Sequence, residues 1–559
     1  MATKKPNIIL ILNDDMGFSD LGCYGGEMQT PNLDALATNG LRYTQFYNTA
    51  RCCPSRASLL TGLYPQQADV GDMTGDDDID GYRGDLNPNT VTIAEALKTG
   101  GYATYMSGKW HVANNVEPDG PKHSWPNQRG FDDFYGIITG AANYFQPRTL
   151  TRNNETIEPD GQDYFFTDAI SDEAVRQIGE HASQRNPPAG AGGYDDAPFF
   201  QYVAYTAPHW PLHAHEEDIA KYKGRFDAGW DTLREERLER MVAMGLIDEK
   251  WKLSGRDPEV GPWDEQDDKA WEARRMEVYA AQIDRMDQGI GRIVAALKES
   301  GQFENTVIVF LADNGGCAEE LGGGSESWVK QMVMRNPYIG TLETRDGREI
   351  RFGNAPEIVP GGEDTYSSYG LPWANVSNTP FRMYKHWIHE GGISTPFIVH
   401  WPEGLEAHGQ LRKQAAQLPD VMATFLEIAG VDYPDSYDGK TIKPLEGFSM
   451  VPTFSNRPHA RDVLFWEHHG NRGARKGDWK LVAKMNEGWE LYDMHADRSE
   501  LNDLAAEQPE IVEELKALYD AWAKRCGVME FDDLRALRQP KFRAKREAER
   551  TEKKDVCNE

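Results

Sequence analysis

The pattern that most restricts this chain is an apolar run that stops abruptly in acid. Ile8-Ile9-Leu10-Ile11-Leu12 is continuous, mostly β-branched and uncharged, and it ends in Asn13-Asp14-Asp15. Such a run lacks the polar alternation of a half-solvated strand and predicts a central parallel strand buried on both faces. Similar units recur. Tyr102–Met106 leads into Ser107-Gly108-Lys109, and Phe199–Tyr205 leads into Thr206-Ala207-Pro208-His209. Thr306–Leu311 leads into Asp313-Asn314-Gly315-Gly316, and Pro396–His400 ends at Trp401-Pro402. Between the last two Phe- and Thr-led runs, Tyr279, Ile283, Met286, Ile290, Ile293 and Leu297 step by threes and fours, which predicts a helix over roughly Ala270–Lys298. Strand–helix alternation of this kind predicts an α/β fold with a large, mostly parallel sheet flanked by helices. Ligands of such sheets gather beyond the carboxyl ends of the strands, where nearly all of these polar bursts fall.

At 559 residues the chain is longer than one compact domain needs. Its character changes near residue 435. Arg461–Trp466, Trp479–Ala483 and Trp489–Tyr492 read as short strands between turns, and Pro509–Cys526 as an amphipathic helix. The expected division is a large α/β domain over 1–435, a smaller α+β domain with an antiparallel sheet and one helix over 436–537, and a charged tail over 538–559. Glycine-rich Pro187–Gly193 and Gly322–Ser325 read as loops.

The formal charge of −30 argues against nucleic acid as a partner, because no basic domain can neutralise phosphates. It also repels anionic ligands at long range, so an anionic substrate would require a local cluster of cations. No apolar run approaches a bilayer span, so no membrane partner is expected. Six cysteines, none in a CxxC pair, do not make a disulfide framework. No signal-peptide pattern follows Met1, so a cytoplasmic protein is the simplest expectation, and a periplasmic one if a leader has been removed.

Three segments concentrate chemistry. In Arg51-Cys52-Cys53-Pro54-Ser55-Arg56-Ala57-Ser58-Leu59-Leu60-Thr61-Gly62, the proline suits the first turn of a helix and the leucine pair faces a core. Cys52 would then sit at a helix N-terminus, where free N–H groups favour negative charge. Asp14 and Asp15 follow one strand and Asp313 and Asn314 another. Three carboxylates and an amide form an all-oxygen set suited to Ca²⁺ or Mg²⁺ rather than zinc, although strand-end aspartates are also common helix caps.

The Cys52 segment resembles the signature of type I sulfatases, C-x-P-S-R followed by x-x-x-L-T-G, with every fixed position matched. The resemblance implies an alkaline-phosphatase-like fold and hydrolysis of a sulfate monoester. It implies oxidation of Cys52 to formylglycine by a generating enzyme that acts as a maturation partner, with Pro54 and Arg56 as recognition positions. A hydrated aldehyde offers two hydroxyls, one to attack sulfur and one whose deprotonation expels sulfate. The resemblance further implies that Asp14, Asp15, Asp313, Asn314 and the modified Cys52 hold one divalent metal, Ca²⁺ ahead of Mg²⁺. Gly108-Lys109-Trp110-His111 is similar to the family's G-K-W-H element, in which the lysine holds a sulfate oxygen and the histidine takes a proton. In this reading Lys109 and His111 share one face of an extended segment. His209 matches the histidine at the ester oxygen, and Lys385 a second sulfate-binding lysine. With Arg56, these supply the local positive field that the net charge demands.

Within the family the chain looks closest to bacterial cytoplasmic arylsulfatases, through Ala207–Leu212 and Ile219–Glu239, which implies a small aryl sulfate ester as substrate. Other histidines stay open: His213 and His215 at a pocket mouth or exposed, His389 structural, His468 and His469 within reach of the organic group. Two alternatives remain. One is a formylglycine-dependent phosphonate or phosphodiester hydrolase, which Lys109 and His111 disfavour. The other is a non-catalytic binding protein with an unmodified Cys52.

Overall fold

In the computed structural model, which describes residues 4–185 and 197–538, the apolar runs meet in one ten-stranded sheet. Its strands in chain order are β1 (Asn7–Asn13), β2 (Leu41–Tyr43), β3 (Ala103–Lys109), β4 (Asp133–Ile137), β5 (Leu150–Arg152), β6 (Glu155–Thr156), β7 (Phe199–Ala204), β8 (Thr306–Ala312), β9 (Phe397–His400) and β10 (Gln410–Arg412). They lie side by side as β10-β2-β9-β8-β1-β7-β3-β4-β5-β6. The central strands β8, β1, β7, β3 and β4 are parallel.

All seven residues of β1 are buried. Ile9 and Ile11 pack on one face with Tyr279, Ile283, Met286 and Ile290 of the helix Lys269–Glu299. Ile8, Leu10 and Leu12 pack on the other with Leu59, Leu60 and Phe425. Each such side chain contributes on the order of 1.5–3 kcal/mol of burial, which is why the run carries no polar alternation. Register then positions the chemistry. Asn13 pairs with Ala312, so Asp14 and Asp313 leave the sheet side by side at the carboxyl edge.

Pro396–His400 corrects the sequence reading. Its strand, β9, runs antiparallel to both β8 and β2, so Trp401-Pro402 points away from the carboxyl edge. A four-residue apolar run is equally buried in either direction and carries no sign of its polarity. What it brings to that edge is its entry residue, Thr395, whose Oγ1 donates to Ala312 O at 3.3 Å.

A second, four-stranded antiparallel sheet follows: β11 (Val463–His468), β12 (Asn471–Lys476), β13 (Trp479–Ala483) and β14 (Glu490–Asp493). The helix Pro509–Cys526 packs on it through Leu515, Tyr519 and Trp522. β12 escaped the sequence reading because Asn-Arg-Gly-Ala-Arg-Lys has no apolar alternation; it forms because it is paired along both edges. Fully buried charges tie this sheet to the short helix Glu390–Ile393 that precedes β9. Lys480 Nζ lies 2.9 Å from Glu390 Oε1 and 2.8 Å from Glu500 Oε1, and Arg498 Nε lies 2.9 Å from Glu390 Oε2. Arg538 ion-pairs with Asp77 and Asp72. The rest of the expected tail, 539–559, and the whole of the expected loop Pro187–Gly193 lie outside the described residues. No helix among the described residues is long and apolar enough to cross a membrane.

Candidate active site

Cys52 opens the helix Cys52–Thr61, with Arg51 as an extended N-cap residue. Ser55 bends the preceding chain into place: its Oγ accepts from the Thr49 amide at 3.1 Å and bonds Thr49 Oγ1 at 2.8 Å. Pro54 lies in the first turn, where a missing N–H costs nothing. Gly62 ends the helix with φ +68, and a Cβ there would meet Leu445 Cδ1 at 2.4 Å. Ser55, Pro54 and Gly62 therefore each have a local task, and the outcome is Cys52 at the helix N-terminus with Arg56 one turn below it.

Arg56 is fully buried and stitches that helix to the two strand ends. Its Nε donates to Asp313 Oδ2 at 3.0 Å, Nη2 lies 2.8 Å from the same oxygen, and Nη1 donates to Lys109 O at 3.0 Å. Lys109 Nζ in turn reaches Asp14 Oδ2 at 2.5 Å. Lys385 Nζ sits 2.8 Å from Asp15 Oδ1, and Asn314 Nδ2 donates to that oxygen at 2.7 Å. His209 Nε2 lies 3.5 Å from Asp15 Oδ2, while its Nδ1 is 2.6 Å from Trp210 O. A carbonyl can only accept, so Nδ1 carries the proton and Nε2 is left facing the carboxylate.

Lys109 and His111 both act on Cys52, but not by strand alternation. β3 ends at Lys109, and His111 has φ +56, so a backbone turn rather than an extended segment returns its ring to the site. Gly108 permits the approach: its φ is +113, and a Cβ would collide with Ala204 O at 1.9 Å.

Ten residues predicted from sequence thus gather in one buried cluster: Asp14, Asp15, Cys52, Arg56, Lys109, His111, His209, Asp313, Asn314 and Lys385. Their charges condition one another. The hydrogen bond from Cys53 holds the Cys52 thiol well below its usual range; burial opposes this, and Lys109, His111 and Lys385 reinforce it. Burial pushes His111 down to about 4, keeping its imidazole neutral. Burial would raise Asp14, yet Lys109, His209 and Arg56 overcome it and hold the carboxyl at about 2. Burial and the charge of Asp14 push Asp313 up against the pull of Arg56.

Asp14 Oδ1 and Asn314 Oδ1 are buried with no hydrogen-bond partner. Unpaired buried oxygens beside two further carboxylates make a donor set fit for a hard divalent cation.

Two wall residues escaped the sequence reading. Arg51 Nη1 bonds Glu319 Oε1 at 2.8 Å, and Trp210 Nε1 donates to Glu319 Oε2 at 3.0 Å. Arg51 adjoins the motif and Glu319 lies five residues past Asn314, but neither position has a signal apart from that proximity. His213 is a correction: it is fully buried, with Nε2 2.7 Å from Thr365 O, and does not line a mouth. His215 packs on Phe165, and His389 Nε2 meets Glu490 Oε2 at 3.1 Å. His468 and His469 cluster with His386, whose amide is 2.7 Å from Ala50 O. The His468 and His469 rings stack at 4.0 Å and 19°.

The sulfatase family model matches residues 6–431, and a model described as N-sulphoglucosamine sulphohydrolase, C-terminal, matches 381–524. The chain is similar to an uncharacterized sulfatase of Schizosaccharomyces pombe, 31% identical over an alignment of 565 positions that takes in 95% of this chain and 96% of that one. It is also similar to an arylsulfatase of Klebsiella aerogenes, 33% identical over 474 residues that cover 80% and 91%. Among solved structures, Ps i-CgsB in complex with k-i-k-neocarrahexaose aligns with a TM-score of 0.63 at 24% identity, covering 93% of each chain, a likeness of fold. The class is therefore that of a sulfuric ester hydrolase with an alkaline-phosphatase-like sheet. The chain belongs to the type I sulfatase family.

Proposed function

We propose that this protein hydrolyses sulfate monoesters, aryl sulfates among them, with a formylglycine made from Cys52 and one divalent cation, Ca²⁺ ahead of Mg²⁺. The observation that carries this reading is the double role of Arg56 and Lys109. Both reach the strand-end carboxylates, Arg56 from one turn below Cys52, and Lys109 adds its charge to the field at the thiol. Nucleophile position, oxygen donors and cations therefore lie together in one buried cluster, where preorganised charge is worth most.

In this reading the Cys52 Sγ stands in for the aldehyde oxygen of formylglycine, which when hydrated supplies an attacking hydroxyl. Asp14, Asp15, Asp313 and Asn314 would hold the cation, which when bound polarises the ester and favours the hydroxyl's ionised form. Lys109 and Lys385 receive sulfate oxygens. Neutral His111 accepts a proton beside residue 52, and His209, as the imidazolium that pairs with Asp15 through Nε2, gives the Nε2 proton to the departing oxygen while Nδ1–H stays on the Trp210 carbonyl. Arg56 positions the helix that carries the nucleophile. A cytoplasmic location, the generating enzyme as maturation partner, and the division into 1–435 and 436–537 belong to the same proposal.

The test is a comparison of kcat/KM for 4-nitrophenyl sulfate and bis(4-nitrophenyl) phosphate, with Cys52→Ala as control. We expect the sulfate to be preferred and the variant, folded by circular dichroism, to be inactive on both. Preference for the diester would favour the phosphodiesterase reading, and an unconverted thiol at position 52 in inactive protein made with the generating enzyme would favour a binding protein.

A further inference from the structure

Glu319 is joined to both ends of the proposed reaction coordinate. It lies in the turn beyond Asp313-Asn314, and its backbone carbonyl is fixed by Ser368 Oγ at 2.5 Å. One carboxylate oxygen takes Arg51 Nη1 at 2.8 Å; Arg51 is the N-cap residue of the helix whose first residue is Cys52. The other takes Trp210 Nε1 at 3.0 Å, and the Trp210 ring lies 4.4 Å from that of His209, whose Nδ1 proton is held by the Trp210 carbonyl. Both side chains of the Arg51–Glu319 pair keep access to solvent, 19% and 27%, so the bridge is only partly buried.

The carboxylate is ionised. Burial opposes its charge, but Arg51, Lys385 and His209 outweigh it and keep the group below the usual range. An ionised carboxylate can accept from both partners at once, one on each oxygen, and each bond is strengthened by charge. A glutamine cannot: turning its oxygen to Trp210 turns its NH₂ against the Arg51 guanidinium.

We propose that Glu319 is a positioning residue that sets the distance between the nucleophile at position 52 and the leaving-group histidine His209. The proposal rests on the sulfatase reading above. It requires no contact between Glu319 and substrate. Proximity effects are steep, and a displacement near 1 Å can cost on the order of a hundred-fold in rate. The loss should grow as the leaving group becomes poorer, because a good phenolate departs without help from His209 while a poor one does not.

The experiment measures kcat and KM for a series of substituted phenyl sulfates of increasing phenol pKa, with wild type, Glu319→Gln, Trp210→Phe, the double variant, and His209→Ala as reference. We expect Glu319→Gln to lower kcat by about ten- to a hundred-fold on the poorest leaving groups and by less than about three-fold on the best, with KM little changed. Trp210→Phe should reproduce the steepened slope, and the double variant should be no worse than the more damaged single one. An equal loss on every substrate, or additive effects of Glu319→Gln and Trp210→Phe, would overturn the positioning role. The sulfatase reading fails separately: wild type would then turn over none of the series.

Discussion

Replacing Arg56 with methionine should expose the charge balance of the pit. The guanidinium is fully buried, makes two contacts to Asp313 Oδ2 at 3.0 and 2.8 Å, and caps the Lys109 carbonyl at 3.0 Å. Removing one partner of a buried ion pair costs about 3–5 kcal/mol, because the other charge is left stranded. Asp313 has an escape. Burial and Asp14 already push its carboxyl up, so it can take a proton instead of remaining as a bare anion. We therefore expect the lower end, about 3 kcal/mol, in chelator-treated protein. The assay is urea unfolding followed by tryptophan fluorescence, for wild type, Arg56→Met, and the double variant Arg56→Met with Asp313→Asn. The double variant should recover roughly 1–2 kcal/mol, since it no longer buries an unpaired carboxyl. Saturating Ca²⁺ should also narrow the gap between Arg56→Met and wild type, because an ion among Asp14, Asp15 and Asp313 supplies the missing positive charge. A loss below about 1 kcal/mol without the ion, or a double variant less stable than Arg56→Met, would refute the stranded-charge reasoning.

Two further outcomes follow from buried groups. Burial pushes Glu467 up to about 8, aided by Asp72, so between its unfolded value of 4.5 and about 8 the folded protein holds a proton that the unfolded chain has lost. Its stabilising contribution is complete below the unfolded value and disappears as pH rises through the folded one; Glu467→Gln should therefore gain on wild type by roughly 2–4 kcal/mol from about pH 5 to about pH 8, read from urea midpoints, and an unchanged difference would contradict this. Lys385→Met should lower kcat on 4-nitrophenyl sulfate by about a hundred- to a thousand-fold, as loss of a preorganised cation commonly does, and a loss under about five-fold would remove Lys385 from the site.

Much of the site was legible because it lies at strand ends, where sequence adjacency and spatial adjacency coincide. β1 and β8 are long, fully buried and in register, so Asp14, Asp15, Asp313 and Asn314 could be read from two short segments. The segment around Cys52 was partly legible for a similar reason: Pro54, Ser55 and Gly62 serve a local turn, first-turn or cap position, whereas the contacts of Arg56 to Asp313 and Lys109 are long-range. What escaped depends on long-range pairing. The direction of β9 is set by neighbours rather than by Phe-Ile-Val-His, and β12 exists only because β11 and β13 hold it. The route of His111 into the pit required a positive φ that alternation rules cannot supply. Glu319 is functional in our reading through Arg51 and Trp210, residues 268 and 109 positions away, and no local pattern encodes such a bridge.

Peptide mass spectrometry at position 52 bears most directly on the whole account. In protein that turns over 4-nitrophenyl sulfate, the fragment spanning Arg51–Arg56 should carry the aldehyde mass and form a hydrazone with an aldehyde-specific reagent, in proportion to activity across preparations. Full activity from a preparation in which residue 52 remains entirely a thiol would mean that the pit works by some other chemistry.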